Sequence, residues 1–142
     1  MKYAEQRAAI ETKFMAGWDS NTTPVKFENT VGLVKGSSAV QDETKLNEWC
    51  MLRIVNQSAD NGAINGKMVR HYGAIFVTVF TKAGIGSNRG RVLADKVADV
   101  MAPVPTDVII YYPAQMVASL PTPDASFHQV TMRIPFVVDQ FM

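Results

Sequence analysis

The sequence predicts an α+β domain, an α/β two-layer sandwich in which a mixed, mostly antiparallel sheet of about five or six strands carries two helices packed on one face. Three observations predict this class. Two segments have apolar residues at helical spacing, several others alternate with the period of a strand, and the order is helix, strands, helix and strands. The 142 residues fit a single domain, residues 1–142, with its own core.

The first element is a predicted amphipathic helix over residues 2–17. Ile10, Phe14 and Trp18 recur at steps of four residues, and charged residues occupy much of the remaining helical wheel. Gly17 stands where a helix C-terminal cap is typical. We therefore expect the helix to end there and to bury its apolar stripe against the sheet.

A short predicted strand over residues 25–28 leads into a long polar stretch. Residues 29–45 contain several glycines and serines and have no sustained period, which predicts an exposed loop. Loops of that length in compact domains usually carry a partner contact or remain mobile. The loop 30–46 is therefore a candidate for contact with a partner.

The next two strands are predicted to form a hairpin. Residues 48–57 alternate with apolar side chains on both faces, which is typical of a strand covered on both sides. The polar loop over residues 58–67 contains two Asn-Gly pairs, and these favour tight turns. Residues 68–82 are rich in β-branched and aromatic side chains and are the predicted central strand.

The second half begins with a predicted helix over residues 91–101, which Pro103 ends. If this helix is a crossover from strand 68–82 to the following strand, those two strands could be parallel, and the connection would be right-handed. The other pairings are expected to be antiparallel. The extended segments after the helix are residues 107–112, 116–120 and 127–138.

Charge and cysteine content narrow the possible functions. Fourteen Lys and Arg against thirteen Asp and Glu leave a net charge of +1, so a contact with DNA would have to be local. The single cysteine, Cys50, cannot form an internal disulfide and is expected to be a buried inert thiol, as in a reducing compartment. We expect neither export nor membrane insertion, because the sequence has no secretory signal and no run of about 18 apolar residues.

The glycine-rich segment 84–90 lies between a predicted strand and a predicted helix, where a phosphate-binding loop belongs. Three residues separate its second and third glycines, whereas the dinucleotide fingerprint has two, and no Lys-Ser or Lys-Thr follows. The favoured interpretation is a turn in which Ser87 or Asn88 caps the helix and Arg89 and Arg91 point outward. A small nucleotide- or metal-binding enzyme that uses this loop is the alternative from a different class.

No other residues predict catalysis, a metal or a cofactor. His71 and His128 are the only histidines, and neither has a partner at metal-ligand spacing. Asp95 and Asp99 lie one helical turn apart, but Arg91 precedes Asp95 by four residues, which favours a solvated helix face with an ion pair. We therefore expect a protein that is not an enzyme.

Charged and aromatic residues within the apolar segments are the predicted contact residues. A charged residue midway along a strand must reach solvent, a carboxylate or an interface. Aromatic side chains anchor both cores and interfaces. The predicted subunit or partner interface consists of Trp18, Arg53, Arg70, Tyr72, Arg89, Arg91 and Arg133.

Several stretches within the first hundred residues resemble the phage tail terminator-like family. In that family a short N-terminal amphipathic helix leads into a strand that ends near an Asn, here Asn29. The matching stretches are RAAIETKF at residues 7–14, GW and TPVKFEN within residues 17–29, Trp49 with Arg53 on one strand, and residues 70–100, which begin RHYGAIFVTVFTKAGIGSNRG.

The resemblance implies a structural virion protein of a long-tailed bacteriophage. Tail terminators of this kind form a homohexameric ring on the head-proximal end of the tail tube, stop its polymerisation and present a surface for head attachment. The expected partners are copies of the chain itself, the major tail tube protein and a head-closure or connector protein. Genomic DNA would pass through the lumen without specific binding. The expected location is the virion tail after assembly in the host cytoplasm, and a head-closure or tail-completion adaptor is the related alternative.

Overall fold

The computed structural model describes residues 2–18, 23–28, 33–35, 39–41, 48–61, 66–121 and 126–141. The predicted class, two helices on one face of a mixed and mostly antiparallel sheet, is confirmed. In chain order the elements are α1 (Tyr3–Gly17), β1 (Val25–Phe27), β2 (Leu33–Lys35), β3 (Ala39–Gln41), β4 (Glu48–Asn61), β5 (Met68–Lys82), α2 (Asn88–Val100), β6 (Ile110–Tyr111), β7 (Gln115–Pro121) and β8 (Phe127–Phe141).

The strands form one sheet in the order β3-β2-β1-β4-β5-β8-β6, and β7 also pairs with β8. Its centre is an antiparallel unit of the three long strands β4, β5 and β8. β5 has partners on both sides along its length, which confirms residues 68–82 as the central strand. Its β-branched and aromatic residues fit such a position because they pack well on a pleated surface.

The other side of the sheet differs from the prediction. Part of the expected loop 30–46 forms β2 and β3, an antiparallel pair that extends the sheet from β1, and the rest of that loop lies outside the described residues. β1 pairs parallel with β4, which was not expected. β5 and β6 both pair antiparallel with β8, so they run parallel to each other, as the predicted crossover requires, with β8 between them. The short strands β2, β3 and β6 bring the described sheet to eight strands, since segments of two or three residues leave no readable period.

β4 and β5 form the predicted antiparallel hairpin, and β4 continues to Asn61, beyond its predicted end at residue 57. The added residues are exposed and, apart from Ala59, polar, so their side chains give no strand pattern. Backbone pairing with β5 holds them in the strand, after a register shift between Asn56 and Ser58. Residues 62–65 of the predicted turn lie outside the described residues.

The core lies between the sheet and the helices. Ile10 and Phe14 of α1 and Leu93 and Val97 of α2 are buried in one cluster with alternate residues of the long strands, such as Val77. α1 ends at Gly17 as predicted. No helix in the described part of the chain is long and apolar enough to cross a membrane.

Candidate assembly surfaces

One face of the sheet carries no helix among the described elements, and we call it the open face. Leu52, Val77 and Met132 stand in register and point into the core, so their neighbours along each strand point the opposite way. The centre of the open face consists of three cross-strand rows: Arg53 with Phe76 and Arg133, Met51 with Thr78 and Thr131, and Trp49 with Phe80 and Gln129.

Aromatic rings occupy one end of the open face. Trp49 stacks on Phe80 with ring centroids 4.0 Å apart and an interplanar angle of 9°. Phe127 meets both rings edge-on, at centroid distances of 6.4 and 6.5 Å. Trp49 is only 8% exposed, and its indole N–H is buried without a hydrogen-bond partner in the described structure. The rings therefore cover one another and form a fixed apolar cluster.

Cations occupy the centre of the open face. The Arg53 guanidinium lies 5.4 Å from the centroid of the Phe76 ring, and Arg133 stands in register on the other side of Phe76. Neither arginine forms an ion pair with a described residue. Both were predicted as interface residues, and the structure brings them together on one surface.

A second surface, which we call the apolar edge, extends over residues 108–121. It includes β6, β7, the segment that joins them and the two residues before β6. From Val108 to Pro121 the chain has no charged residue. Both strands pair only with β8 among the described strands, so their outer sides have unpaired backbone groups. The large apolar residues exposed here are Val108, Ile110, Tyr112, Met116, Val117 and Leu120.

The apolar edge lacks the charged side chains that commonly protect an edge strand. Natural sheets shield such edges with lysines, inward charges or a covering segment. β7 has a register shift between Met116 and Ala118 and a proline at its end, but it contains no charge, and Val117 is 55% exposed. This surface was missed in the sequence, although the uncharged run from Val108 to Pro121 was the signal that could have identified it.

Two predicted interface arginines bind carboxylates within the chain. Arg70 donates through Nε and Nη2 to the two carboxylate oxygens of Asp139, at 2.7 and 3.1 Å. Arg89 binds Glu48 in the same two-point way, at 3.1 and 2.9 Å, and Glu48 also accepts a hydrogen bond from Thr23. These pairs tie strand to strand and helix to strand.

The Arg70 pair has an electrostatic consequence. Its hydrogen bonds lower the pKa of Asp139, and the carboxylate raises the pKa of the guanidinium in return. Each group therefore keeps its charge over a wider pH range than usual. Tyr72, another predicted contact residue, lies on the same face of β5 and is half-buried.

Trp18 lies in the core and is not available as a surface anchor. It is 5% exposed, stacks on Phe14 at 5.0 Å, and donates its indole N–H to the Thr23 carbonyl at 2.9 Å. Lys96 of α2 covers the ring from 4.9 Å. The end of the first helix therefore belongs to the core, because the apolar stripe of α1 continues into Trp18.

The glycines of segment 84–90 serve chain geometry. Gly84 and Gly86 have φ of +87° and +85°, which other residues rarely adopt, and they make the turn between β5 and α2. Gly90 lies inside α2, where an added Cβ would stand 3.0 Å from the Val130 side chain. Ser87 occupies the predicted N-cap position of α2, but it makes no side-chain capping hydrogen bond, and Asn88 is the first residue of the helix.

The remaining candidates for chemistry stay apart. The predicted ion pair between Arg91 and Asp95 is absent, and Arg91 instead donates to the Met116 sulfur at 3.5 Å. Asp95 and Asp99 are exposed. No group of three or more His, Cys, Asp or Glu side chains within the described ranges could hold a metal ion.

The two histidines bond to different neighbours. His71 lies 3.0 Å from the Gln140 side chain through Nε2, and its buried Nδ1 has no partner in the described residues. His128 lies 3.0 Å from the Ser119 hydroxyl at the exposed end of β7. No acidic side chain hydrogen-bonds to His128 in this part of the structure, so the geometry provides no group to orient it as a base.

The concave sites on the described surface are either small or wide open. One depression between α1 and β4, lined by Gln6 and Asn56 among others, has about 200 Å³, and one beside Tyr111 has about 260 Å³. A third, lined by Met15 and Phe27 among others, has about 480 Å³ but is a shallow depression open to solvent. Pockets for small ligands usually have roughly 300–1,000 Å³. The geometry of the described chain therefore favours surfaces over a buried ligand site.

Comparison with known proteins shows the fold and no family. No protein-family model matches the chain, and no curated protein matches it. One solved structure, of a protein whose name states no function, is similar with a TM-score of 0.66 and 17% sequence identity, over 100% of this chain and 98% of the other. At that identity the likeness indicates a shared fold and nothing about function.

Proposed function

We propose that the protein is a structural virion protein of the tail terminator kind, which assembles into a homohexameric ring, ends the growth of a tail tube and offers a surface for head attachment. The observation that carries the proposal is the apolar edge. An uncharged edge strand with unpaired backbone groups and exposed apolar side chains favours pairing with another chain. The sequence resemblance over residues 7–29 and 70–100 supplies the kind of assembly.

A closed ring needs two different surfaces on each subunit that fit each other. The edge at β7 and the outer side of β4 are two such different surfaces on one subunit. β7 is uncharged, whereas β4 on the other side of the central strand pairs with β1 only through Cys50, Met51 and Leu52. From Arg53 to Asn61 its outer side has no strand partner among the described elements, although the Ile54 N–H donates to the Glu28 side chain, and apart from Ala59 its exposed side chains are polar. Pairing of the β7 edge of one copy with this side of the next would continue the sheet around a ring.

The partners of such a ring follow from its position. One rim would contact the major tail tube protein and the other a head-closure or connector protein, so the role is assembly in the virion and not catalysis. An adaptor for head closure or tail completion would use the same two edges and differ in the neighbour that it contacts. The segment 30–46, next to β1, is the expected contact with those neighbours.

The function is tested by adding the purified protein to a tail tube protein during polymerisation and measuring tube lengths by electron microscopy. We expect shorter tubes that carry a ring at one end. Tubes of unchanged length and without rings would argue against the terminator role. Rings bound to isolated head connectors, with no effect on tubes, would favour the adaptor.

A further inference from the structure

Three cations on the open face have no carboxylate partner. Arg53, Arg133 and Lys82 form no ion pair with any described residue. Four cations outside this group, Arg7, Lys13, Arg70 and Arg89, are each paired with an acidic side chain. The positive charge at the centre of the open face is therefore not compensated by the described side chains.

The described carboxylates lie away from the centre of the open face. Two of them, Asp60 and Asp139, stand on the open side, and both flank Arg70 in the register at one end of the long strands. The others belong to the helices or to the helix side of the sheet: Glu5, Glu11, Glu28, Glu48, Asp95, Asp99 and Asp107. Among the described residues, the centre of the open face is therefore cationic, although the net charge of the whole chain is only +1.

The aromatic rings of the open face are already in contact with other groups. Arg53 covers Phe76, and Trp49 and Phe80 stack on each other. Proteins that bind single-stranded nucleic acid usually offer free ring faces on which bases stack. In the described centre of the open face, Arg53 covers one face of Phe76, and Trp49 and Phe80 each cover one face of the other, so the chemistry suits a phosphate backbone better than unstacked bases.

We propose that the open face binds the phosphate backbone of duplex DNA through Arg53 and Arg133, weakly and without sequence preference. The two arginines flank Phe76 on neighbouring strands, so their Cα atoms are about 10 Å apart across the sheet. Two cations at that spacing can contact phosphates of one duplex while the sheet stays outside the grooves. The uncompensated charge does not depend on the proposed function. The choice of DNA as the polyanion does, because a tail-terminator ring surrounds the path of the genomic DNA and the open face is the sheet face that no described helix covers.

The test is the salt dependence of binding to a fluorescent 30-base-pair duplex, measured by anisotropy between 50 and 200 mM salt at pH 7. Arg53→Gln/Arg133→Gln is compared with Lys2→Gln/Arg7→Gln, which loses the same charge from α1. Each lost phosphate contact reduces the slope of log K against log salt by about 0.9. We expect the open-face variant to lose roughly 2 from the slope and to bind several-fold more weakly, while the α1 variant matches the wild type.

Three results would overturn the inference: no binding by the wild type at 50 mM salt, equal losses in both variants, or equal competition by poly-glutamate. Tighter binding to a single strand than to the duplex would overturn the choice of duplex. Circular dichroism and urea midpoints show that both variants are folded. Light scattering on the same samples separates this inference from the proposed function, since a ring that does not bind DNA contradicts only the inference and a monomer that binds DNA contradicts only the ring.

Discussion

Gly73 of β5 lies directly beneath the ring of Phe136 on β8, its partner in the register. A Cβ added at Gly73 would stand 2.5 Å from Cζ of that ring and 2.8 Å from the backbone oxygen of Val55 on the other neighbouring strand. Neither atom can move away easily, because Phe136 is buried in the core and Val55 belongs to the hairpin ladder. The absence of a side chain at Gly73 therefore allows the three long strands to pack at this point.

Gly73→Ala is expected to destabilise the fold by about 1–3 kcal/mol, the usual effect of overpacking a core. The measurement is the urea midpoint of unfolding with the slope unchanged. Gly17→Ala is the matched control. Its Cβ would meet only the Val100 side chain at 3.1 Å, and alanine favours the helix by about 0.8–1.0 kcal/mol over glycine. A midpoint for Gly73→Ala equal to that of the wild type would show that the contact is not close in solution.

The apolar edge makes a prediction about assembly. Val117→Lys places a charge in the edge strand β7, at the residue without a register partner, and natural edge strands carry such charges to prevent pairing. We expect a folded protein whose self-association is lost or strongly weakened, as measured by light scattering and by an unchanged circular dichroism spectrum. Phe141→Lys is the control, because Phe141 is 77% exposed but lies at the opposite end of β8 from the β7 pairing. Equal association of both variants and the wild type would exclude β7 from the interface.

The Arg70–Asp139 pair predicts a pH dependence. Because Arg70 lowers the pKa of Asp139 in the folded state, the pair stabilises the fold above the unfolded pKa of about 3.9 and loses its effect as pH falls through the lower folded pKa. The difference in urea midpoint between the wild type and Asp139→Asn should therefore be constant from about pH 5 to 8 and vanish in stronger acid. Asp99→Asn, which removes an exposed carboxylate, should show no such difference. A wild-type advantage that grows as the pH falls would contradict the pair.

The reactivity of the buried Cys50 thiol measures how easily β4 opens. The thiol is fully buried, and burial raises its pKa, so little thiolate forms in the folded protein. Reaction with a thiol reagent at pH 8 should be very slow without denaturant and should accelerate along the unfolding curve in urea. Fast reaction in the native buffer would mean that β4 opens far more easily than its central position indicates.

The sequence was sufficient to predict the core because its pattern is local. The β-branched run of residues 68–82 and the apolar stripe with Ile10 and Phe14 each require burial on one side, and the structure places both as expected, whereas Trp18, a predicted contact residue, also lies in the core. The short strands β2 and β3 could not be predicted, since their place depends on pairing with β1 and not on their own residues. The end of β4 at Asn61 depends on β5 in the same way.

The candidate surfaces were less predictable because they depend on which distant residues become neighbours. Arg53 and Arg133 are eighty positions apart in the sequence and meet only through their shared partner Phe76. Arg70 and Arg89 are also arginines, in a predicted strand and a predicted turn, yet each binds a carboxylate within the chain. The sequence could not distinguish the two arginines without an ion pair from the two that bind carboxylates, because that depends on which residues the fold makes neighbours.

The most direct test of the central claim is the mass of the wild-type protein in solution, measured by light scattering at micromolar concentration with negative-stain images of the same sample. A ring of six protomers of 15.6 kDa would have a mass of about 94 kDa, and the images should show annular particles. That result would support assembly through two complementary edges. A monomer that stays monomeric when tail tubes are added would contradict it.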